Sequence, residues 1–325
     1  MKLMRYLSKL MSILACLHLC SCDVHEFPHP EDENISFVLH LKYDTNMPFY
    51  KTIECTEDSR SVDNSKYDVR YIVYVYPELS EEPTNALYSF VFTKNEVTVL
   101  DNSVTINLKK GAYKFMVWTD YVTEGSQTDN LYDTNNFGKI SPKGIEYQGN
   151  SDLKDAFKGT IVSEVSRNVS EAVVEMVRPV AKFKFITDDI ESFISQLAET
   201  KDTSLDEFKL VFRYNGYLAN SFNMYTDQSS GSLTEETFFS TFTKVSDIET
   251  LLGFDYVFAE LMPSSVYVTL EICNKNGEVL SSFSSIEVPL VRGKLSTVIV
   301  KFTGSQSGGG AAIDPDYNGD INIIL

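Results

Sequence analysis

Cys22 is the residue whose surroundings most clearly predict a chemical modification. Leu19 stands three positions before it and Ser21 directly before it, an order typical of a bacterial lipobox. In that chemistry the thiol receives a diacylglycerol, and the peptide bond between Ser21 and Cys22 is cut. Acyl chains then hold the protein on a membrane, because each buried CH₂ group contributes roughly 0.8 kcal/mol. We therefore predict that Cys22 is acylated, with palmitate-type chains, and becomes the first residue of the mature protein.

Residues 1–21 have the organisation of a lipoprotein signal peptide. Their start is basic, and 10–19 form a mostly apolar run, shorter than the about 20 residues of a membrane-spanning helix. Cys16 is a rival lipobox cysteine, but cleavage there would leave an apolar core too short for a signal peptide. An ordinary signal peptide cut after Ser21, with Cys22 free, is the other alternative. We favour modification of Cys22.

The composition is acidic and is typical of a soluble protein. The chain of 325 residues carries 46 acidic and 28 basic side chains, a formal net charge of −18. This charge argues against nucleic acid as a partner, because phosphate binding requires a basic surface. It also argues against an extended basic contact with an anionic membrane. The length is sufficient for two domains.

Two cysteines besides Cys22 remain after the predicted cleavage. Cys55 and Cys273 could form a disulfide in an exported protein, although the sequence does not give the distance between them. Cys273 alternates with polar positions, opposite an apolar row that ends at Ile272. We therefore expect Cys273 to face outward, and the pairing stays open.

The rest of the chain is patterned as β-strands. Stretches rich in β-branched and aromatic residues lie at 70–77, 111–121, 172–177, 181–187, 207–214, 265–273 and 295–302. Asn276-Gly277 predicts a tight turn between two of them. Only 188–200 has the apolar stripe of a helix, and 151–157 predicts a short helical turn. The fold class that we predict is all-β, with packed antiparallel sandwiches and few short helices.

Proline and glycine residues that interrupt the β-rich pattern predict the domain organisation of the chain. Arg178-Pro179 interrupts a β-rich run, and proline is avoided within central strands. Near the C-terminus, SQSGGG has the composition of a flexible linker. The predicted division is a signal peptide at 1–21, an acidic tether at 22–34, an N-terminal β-sandwich at 35–178, a C-terminal β-sandwich at 179–303, and a glycine-rich hinge with a terminal strand at 304–325.

The candidates for catalysis or metal binding are weak. His25 and His29 flank Pro28, which excludes the helical zinc-protease arrangement, and no nucleophile elbow or phosphate-binding loop is present. Residues 314–320 resemble the start of a calcium loop, but its twelfth position is a leucine rather than glutamate. Trp118 and the strand tyrosines are expected in the core rather than on a sugar-stacking surface. We predict no catalytic residue, metal or cofactor, and no enzymatic activity.

Seven segments together carry a resemblance to a known family. They are CDVHEFP (22–28), RYIVYVYP (70–77), YKFMVWTDYV (113–122), NLYDT with GKI (130–134 and 138–140), YQGNSDLKDAFKG (147–159), VRPVAKFKF (177–185) and AAIDPDYNGDINI (311–323). In this order they resemble the FimB-type fimbrial anchor subunits of Bacteroidales, the anchor lipoproteins of type V pili. The likeness extends over nearly the whole mature chain.

The resemblance implies two transthyretin-like β-sandwich domains in tandem and lipidation at Cys22. It also implies a surface-exposed position in the outer membrane, at the base of a fimbrium, with fimbrial pilin subunits as partners. Pilins of this kind assemble by strand exchange, in which a terminal strand of one subunit completes a sheet of the next. The residues that we expect in such a donor strand are Ile313, Ile321, Ile323 and Ile324.

Two other functions would share the lipobox, the acidity and the sandwiches. One is a surface glycan-binding lipoprotein of a nutrient-uptake system, which would need exposed, coplanar aromatic rings. The other is a fimbrial tip adhesin, which would lie distal from the membrane. An anchor instead needs a terminal strand or an open sheet edge.

Overall fold

The computed structural model describes residues 34–43, 66–78, 86–94, 101–144, 146–197, 204–302, 312–313 and 320–324. The predicted signal peptide, the predicted tether with His25 and His29, Cys55 and the predicted hinge lie outside these ranges. Within them, no helix combines the length and the apolar character needed to cross a bilayer.

The described residues of the first half form nine strands. They are β1 (Asn34–Tyr43), β2 (Tyr67–Pro77), β3 (Tyr88–Lys94), β4 (Asp101–Lys109), β5 (Gly111–Thr123), β6 (Tyr132–Asp133), β7 (Ser141–Pro142), β8 (Phe157–Val165) and β9 (Glu171–Met176). Sheets β4-β1-β9 and β3-β2-β5-β8 enclose one apolar core, and β6 pairs with β7 outside it. A 3-10 helix at Asp152–Lys154 precedes β8.

The part of the second half that the structure describes adds twelve strands. They are β10 (Val180–Thr187), β11 (Lys209–Tyr214), β12 (Ser221–Asn223), β13 (Gln228–Ser230), β14 (Thr237–Ser240), β15 (Thr243–Ser246), β16 (Glu249–Phe258), β17 (Ser264–Cys273), β18 (Val279–Leu290), β19 (Leu295–Ile299), β20 (Ala312–Ile313) and β21 (Asp320–Ile324). Sheets β15-β16-β10-β19-β21-β20 and β14-β11-β17-β18 enclose a second core. Helix α1 (Ile190–Leu197) and a 3-10 helix at Leu205–Glu207 connect β10 to β11.

The two sandwiches share one connectivity. In the first, β1 pairs antiparallel with β4 and parallel with β9; in the second, β10 pairs antiparallel with β16 and parallel with β19. The facing sheets, β3-β2-β5-β8 and β14-β11-β17-β18, also correspond strand for strand and are antiparallel throughout. The two sandwiches therefore have the same strand topology. The sequence contains no internal repeat of short period that would predict it.

The predicted fold class is confirmed, since strands dominate the described residues and antiparallel pairs predominate. All seven predicted stretches contain strands, and alternation is clearest in β10, where Phe183 and Phe185 are fully buried and Lys182 and Lys184 are partly exposed. The turn after β17 has Gly277 at a φ of +86°, as the Asn276-Gly277 pair predicts. The predicted helix is α1, which is shorter than expected. The division of the chain at 178/179 remains a prediction.

The prediction that Cys273 faces outward is wrong. It lies opposite Lys209 in the register of β11 and β17, yet only 5% of its surface is exposed. The pairing of β17 with β18 shifts between Ile272 and Cys273, so the end of this strand departs from regular alternation. Cys273 is a buried free thiol in this structure.

A third apolar cluster joins the two sandwiches. It combines residues of β2 and β5 with residues of β10 and β16, and the segments near 131–156 and 218–225 fill the space between them. Trp118 of β5 and Phe258 of β16 both contact the ring of Tyr132 at this junction. The two halves of the protein thus bury a common surface.

Candidate functional site

The terminal strand lies at one side of the second sandwich. β21 pairs in parallel with β19, from Leu295 opposite Asp320 to Ile299 opposite Ile324. β20 pairs antiparallel with β21 on the other side, with Ile313 opposite Ile323. Among the predicted donor residues, Ile321, Ile323 and Ile324 are thus in β21 and Ile313 is in β20. In this single chain, both strands complete the sheet of their own sandwich.

β19 is a strand with a buried centre that pairs with β21 on one side. Ser296, Thr297 and Val298 are buried, and the Ser296 hydroxyl donates a hydrogen bond to the carbonyl of Pro289. Without β21, the described sheet would end at β19 and present a row of unpaired backbone groups. Such a row is the template on which another strand can be added. Removal of β21 would therefore open an edge beside β19 to which another strand could be added.

The tryptophan and most of the tyrosines that the sequence places in strands lie in the core of the described residues. Trp118 is fully buried, and its Nε1 donates a hydrogen bond to Asp120. Tyr71, Tyr76 and Tyr113 are also buried, as the sequence predicts, whereas Tyr74, for which the same was expected, is only partly buried. Within the described ranges, no group of histidine, cysteine and acidic residues is arranged to hold a metal ion.

The junction between the sandwiches is held by charged side chains of one short turn. At 152–155, Asp152 accepts hydrogen bonds from Lys182 and from the Tyr256 hydroxyl, at 2.8 and 2.9 Å. Asp155 accepts hydrogen bonds from the guanidinium of Arg178, from Nε at 2.8 and 3.2 Å and from Nη2 at 3.0 Å. The acidic side chains of the turn S-D-L-K-D therefore bind residues of β10 and β16 and of the segment that connects β9 to β10.

Lys154 is the buried centre of this turn. Its Nζ lies 2.5 Å from Oδ1 of Asp255 in β16, and the side chains are 7% and 0% exposed. The hydroxyls of Tyr147 and Tyr214 donate to the other oxygen, Oδ2, at 2.6 and 2.7 Å. Burial lowers the pKa of Lys154, although the neighbouring carboxylate opposes this. Burial and the same carboxylate raise the pKa of both tyrosines, so their hydroxyls keep their protons.

A second polar cluster lies elsewhere in the junction. Lys158 of β8 pairs with Asp227, which also binds the guanidinium of Arg292 at 2.9 Å. Both cations lie over the ring of the buried Phe222, at 5.9 and 5.0 Å from its centroid. Arg292 further contacts Glu260 at 3.3 Å. These contacts connect β8 to the turn between β12 and β13.

Sequence reasoning did not identify these junction residues. The segment around Lys154 and the Arg178-Pro179 pair were noted only as motifs and as a boundary. The one feature of the sequence that could have pointed to them is the mixed charge of D-L-K-D. The residues that bind these charged side chains lie 23 to 104 positions away in the sequence. Cys22 and Ser21 lie outside the described residues, so their roles stay predictions.

Comparison with known protein families finds a match. Residues 30–325 match a family of unknown function, DUF6562. The chain belongs to this family. The resemblance to fimbrial anchor subunits noted above is thus not matched by a family of that description, and no curated protein is significantly similar to the chain.

The solved structures to which the chain is similar are distant in sequence. A putative adhesin from Bacteroides ovatus is 12% identical, with 90% of this chain and 93% of that chain covered and a TM-score of 0.45. A putative polysaccharide binding protein from Bacteroides thetaiotaomicron is 10% identical, with 77% and 80% covered and a TM-score of 0.44. The fimbrial anchor protein Mfa2 from Porphyromonas gingivalis is 12% identical, with 77% and 82% covered and a TM-score of 0.37. The names adhesin, polysaccharide binding protein and fimbrial anchor describe those three proteins.

Proposed function

We propose that this protein is an outer-membrane lipoprotein that anchors the base of a fimbrium. The acyl chains on Cys22 hold it in the membrane, and its body binds a pilin by β-strand addition. The observation that carries this proposal is the position of β21 beside β19, at the end of the chain and beyond a glycine-rich segment. The lipobox and the ordered motifs of the sequence support the same assignment.

The terminal strands are suited to exchange for a physical reason. β20 and β21 follow a segment, SQSGGG, whose composition is that of a flexible linker. The backbone hydrogen bonds of β21 to β19 can be remade with the edge of a partner sheet, so exchange conserves the ladder. β21 would leave its own sandwich and complete a sheet of the first pilin. The acidic surface of the body agrees with an exposed position outside the membrane.

The first test is the change Cys22→Ala in the native cell. We expect pilin to move from the cell fraction to the medium while its total amount stays constant, because the base of the fimbrium loses its membrane attachment. Shed fimbriae longer than normal would add that the anchor also limits growth. Unchanged cell-bound fimbriae would refute the anchor, and glycan binding or a distal adhesin position would then be tested on the purified protein.

The donor role of the tail has a separate test. A chain that ends at residue 310 keeps Cys22 and both sandwiches but lacks β20 and β21. We expect this chain to reach the outer membrane and to lose co-purification with pilin. Undiminished pilin binding would exclude the tail as the link, while leaving the anchoring by Cys22 intact.

A further inference from the structure

Lys154 and Asp255 form a contact with unusual surroundings. The amine and the carboxyl group come from opposite sides of the junction, 101 positions apart, and both side chains are buried. Nζ lies 2.5 Å from Oδ1, and the backbone N–H of Tyr256 donates to the same oxygen at 2.8 Å. The carboxyl carbon is therefore next to a nitrogen that is almost wholly shielded from bulk water.

The second carboxyl oxygen has two hydroxyl donors. Tyr147 and Tyr214 both point at Oδ2 of Asp255, and their rings pack edge to face at 5.6 Å. Two fixed donors on one oxygen are the arrangement that stabilises negative charge when a carbonyl carbon becomes tetrahedral. The site thus combines a nucleophile, an acyl carbon and an oxyanion-binding pair.

The amine is in a state that favours attack. Burial lowers the pKa of Lys154, which raises the fraction of the unprotonated, nucleophilic form. The Nζ atom also lies 4.4 Å from the centroid of the Tyr147 ring, which limits the positions it can occupy. Positioning of this kind converts a slow reaction between two molecules into a reaction within one site.

We propose that Lys154 and Asp255 condense into an intramolecular amide that joins the two sandwiches covalently. A proton first passes from Nζ to Oδ1. The Nζ lone pair then forms a bond to Cγ, and the negative charge on Oδ2 is held by the two tyrosine hydroxyls. The bond from Cγ to Oδ1 breaks, and Oδ1 leaves as water with its own proton and one proton from Nζ. The carbonyl that remains at Oδ2 keeps both hydrogen bonds.

The released water has a path out. A cleft lined by Tyr147, Lys154 and Glu236 opens beside the site. The product ties the turn before β8 to β16, so the junction would resist separation even when its apolar contacts fail. This inference does not depend on the proposed function.

Another lysine–aspartate contact in the chain serves as an internal control. Lys301 and Asp188 also form a close pair, but their side chains are 34% and 49% exposed. There the lysine is hydrated, no pair of hydroxyl groups among the described residues donates to the carboxylate, and condensation is not expected. The contrast isolates burial and the two tyrosines as the decisive features.

The decisive experiment is a tryptic peptide map of the full chain as purified from cells and then denatured. We expect a branched species that joins 144–158, uncut at Lys154, to 245–275, lighter than the sum of the two peptides by one water. Fragmentation should place the link at Lys154 and Asp255, and peptides with Lys301 and Asp188 should stay separate. Cleavage after Lys154, with 245–275 found only as a free peptide, would overturn the proposal.

Two variants sharpen the result. Lys154→Arg keeps a cation but removes the nucleophile, and we expect it to fold, by circular dichroism, without the branched species. Tyr147→Phe removes one oxyanion donor, so the linked fraction at a fixed time after synthesis should fall. A fully linked Tyr147→Phe protein would refute the role of the hydroxyl pair. If Lys154→Arg does not fold, the map of the unaltered chain still decides the main point.

Discussion

Gly149 lies directly against the ring of Phe238, which belongs to β14 in the other sandwich. A Cβ atom at residue 149 would be 2.3 Å from Cγ of that ring. The ring cannot yield easily, because it is buried and stacked on Phe212, with centroids 4.7 Å apart and an interplanar angle of 1°. The glycine in the Y-Q-G-N motif is therefore required by close packing across the junction.

Gly149→Ala should lower the free energy of unfolding by about 1–3 kcal/mol, the range typical of overpacked cores. Urea unfolding measures the loss. Gly216→Ala is the matched control, because the nearest atom to its Cβ position, in Tyr267, is 4.0 Å away. That change should be neutral or stabilise slightly by restricting the unfolded chain. Equal effects of the two changes would contradict the packing argument.

Arg178 neutralises Asp155 in a buried site. Both side chains are at most 3% exposed, and the guanidinium also lies 4.3 Å from the centroid of the Phe157 ring. Arg178→Met leaves a buried carboxyl group without its cation, so we expect a loss of about 3–5 kcal/mol in the free energy of unfolding. Arg178→Lys should restore only part of it, because an ammonium group cannot bind both oxygens in the same fork.

The control for this pair is Arg213, which binds Glu271 on the surface at 3.2 Å. Arg213→Met should cost about 0–1 kcal/mol, since exposed ion pairs contribute little. Guanidinium chloride screens charges, so urea is the better denaturant for both. A cost at residue 178 no larger than at residue 213 would show that the buried pair adds nothing.

Asp129 should make stability depend on pH. Burial raises its pKa, but hydrogen bonds from Thr134 and Arg70 outweigh burial and hold the pKa below its usual value. A carboxyl group with a lowered pKa stabilises the folded state above its usual pKa of about 3.9, and this contribution is lost as pH falls through the lowered value. Thr134→Val removes the 2.7 Å hydrogen bond from the hydroxyl and should weaken the effect.

The measurement is the difference in unfolding free energy between the unaltered chain and Thr134→Val at a series of pH values. The difference should be largest near neutral pH and shrink in acid. Thr128→Val provides the control, because the Thr128 hydroxyl bonds to the hydroxyl of Ser126 rather than to a carboxylate. A Thr134→Val difference that is constant with pH would refute the assignment.

Ile323 tests the terminal strand. It pairs with Val298 of β19 on one side and Ile313 of β20 on the other, so it has a central position. Proline cannot donate to a strand ladder and is tolerated only at edges. Ile323→Pro should detach β21 and speed hydrogen exchange at the amides of 296–298, measured by mass spectrometry. Ile313→Pro, in the edge strand, should have a smaller effect; unchanged exchange in Ile323→Pro would mean that β21 does not protect β19.

The alternation of apolar and polar residues was sufficient to predict the strands. It did not predict which strand faces are covered by other parts of the protein. The alternation of Phe183 and Phe185 with lysines placed β10 correctly, because burial on one face repeats every second residue. The same rule failed for Cys273, since alternation assigns a face and does not say whether other side chains cover it. Bulges are also hidden from a period-two rule.

Long-range electrostatics were beyond prediction for a related reason. Lysine is almost never fully buried unless it is paired, so a lysine between two aspartates is expected on the surface. Lys154 is buried only because Asp255, more than a hundred positions later, lies where the fold places it. The parallel pairing of β21 with β19 likewise depends on the path of the intervening chain, which composition does not specify.

The parallel direction of β21 has a mechanical consequence. A pull on the end of β21 along its own axis, with the second sandwich held in place, loads all of its hydrogen bonds to β19 at the same time. A sideways pull would instead open them one after another, at a much lower force. The terminal strand is therefore oriented to resist tension along the chain while it remains easy to peel away from one end, so its release would depend on the direction of the load rather than on its size alone.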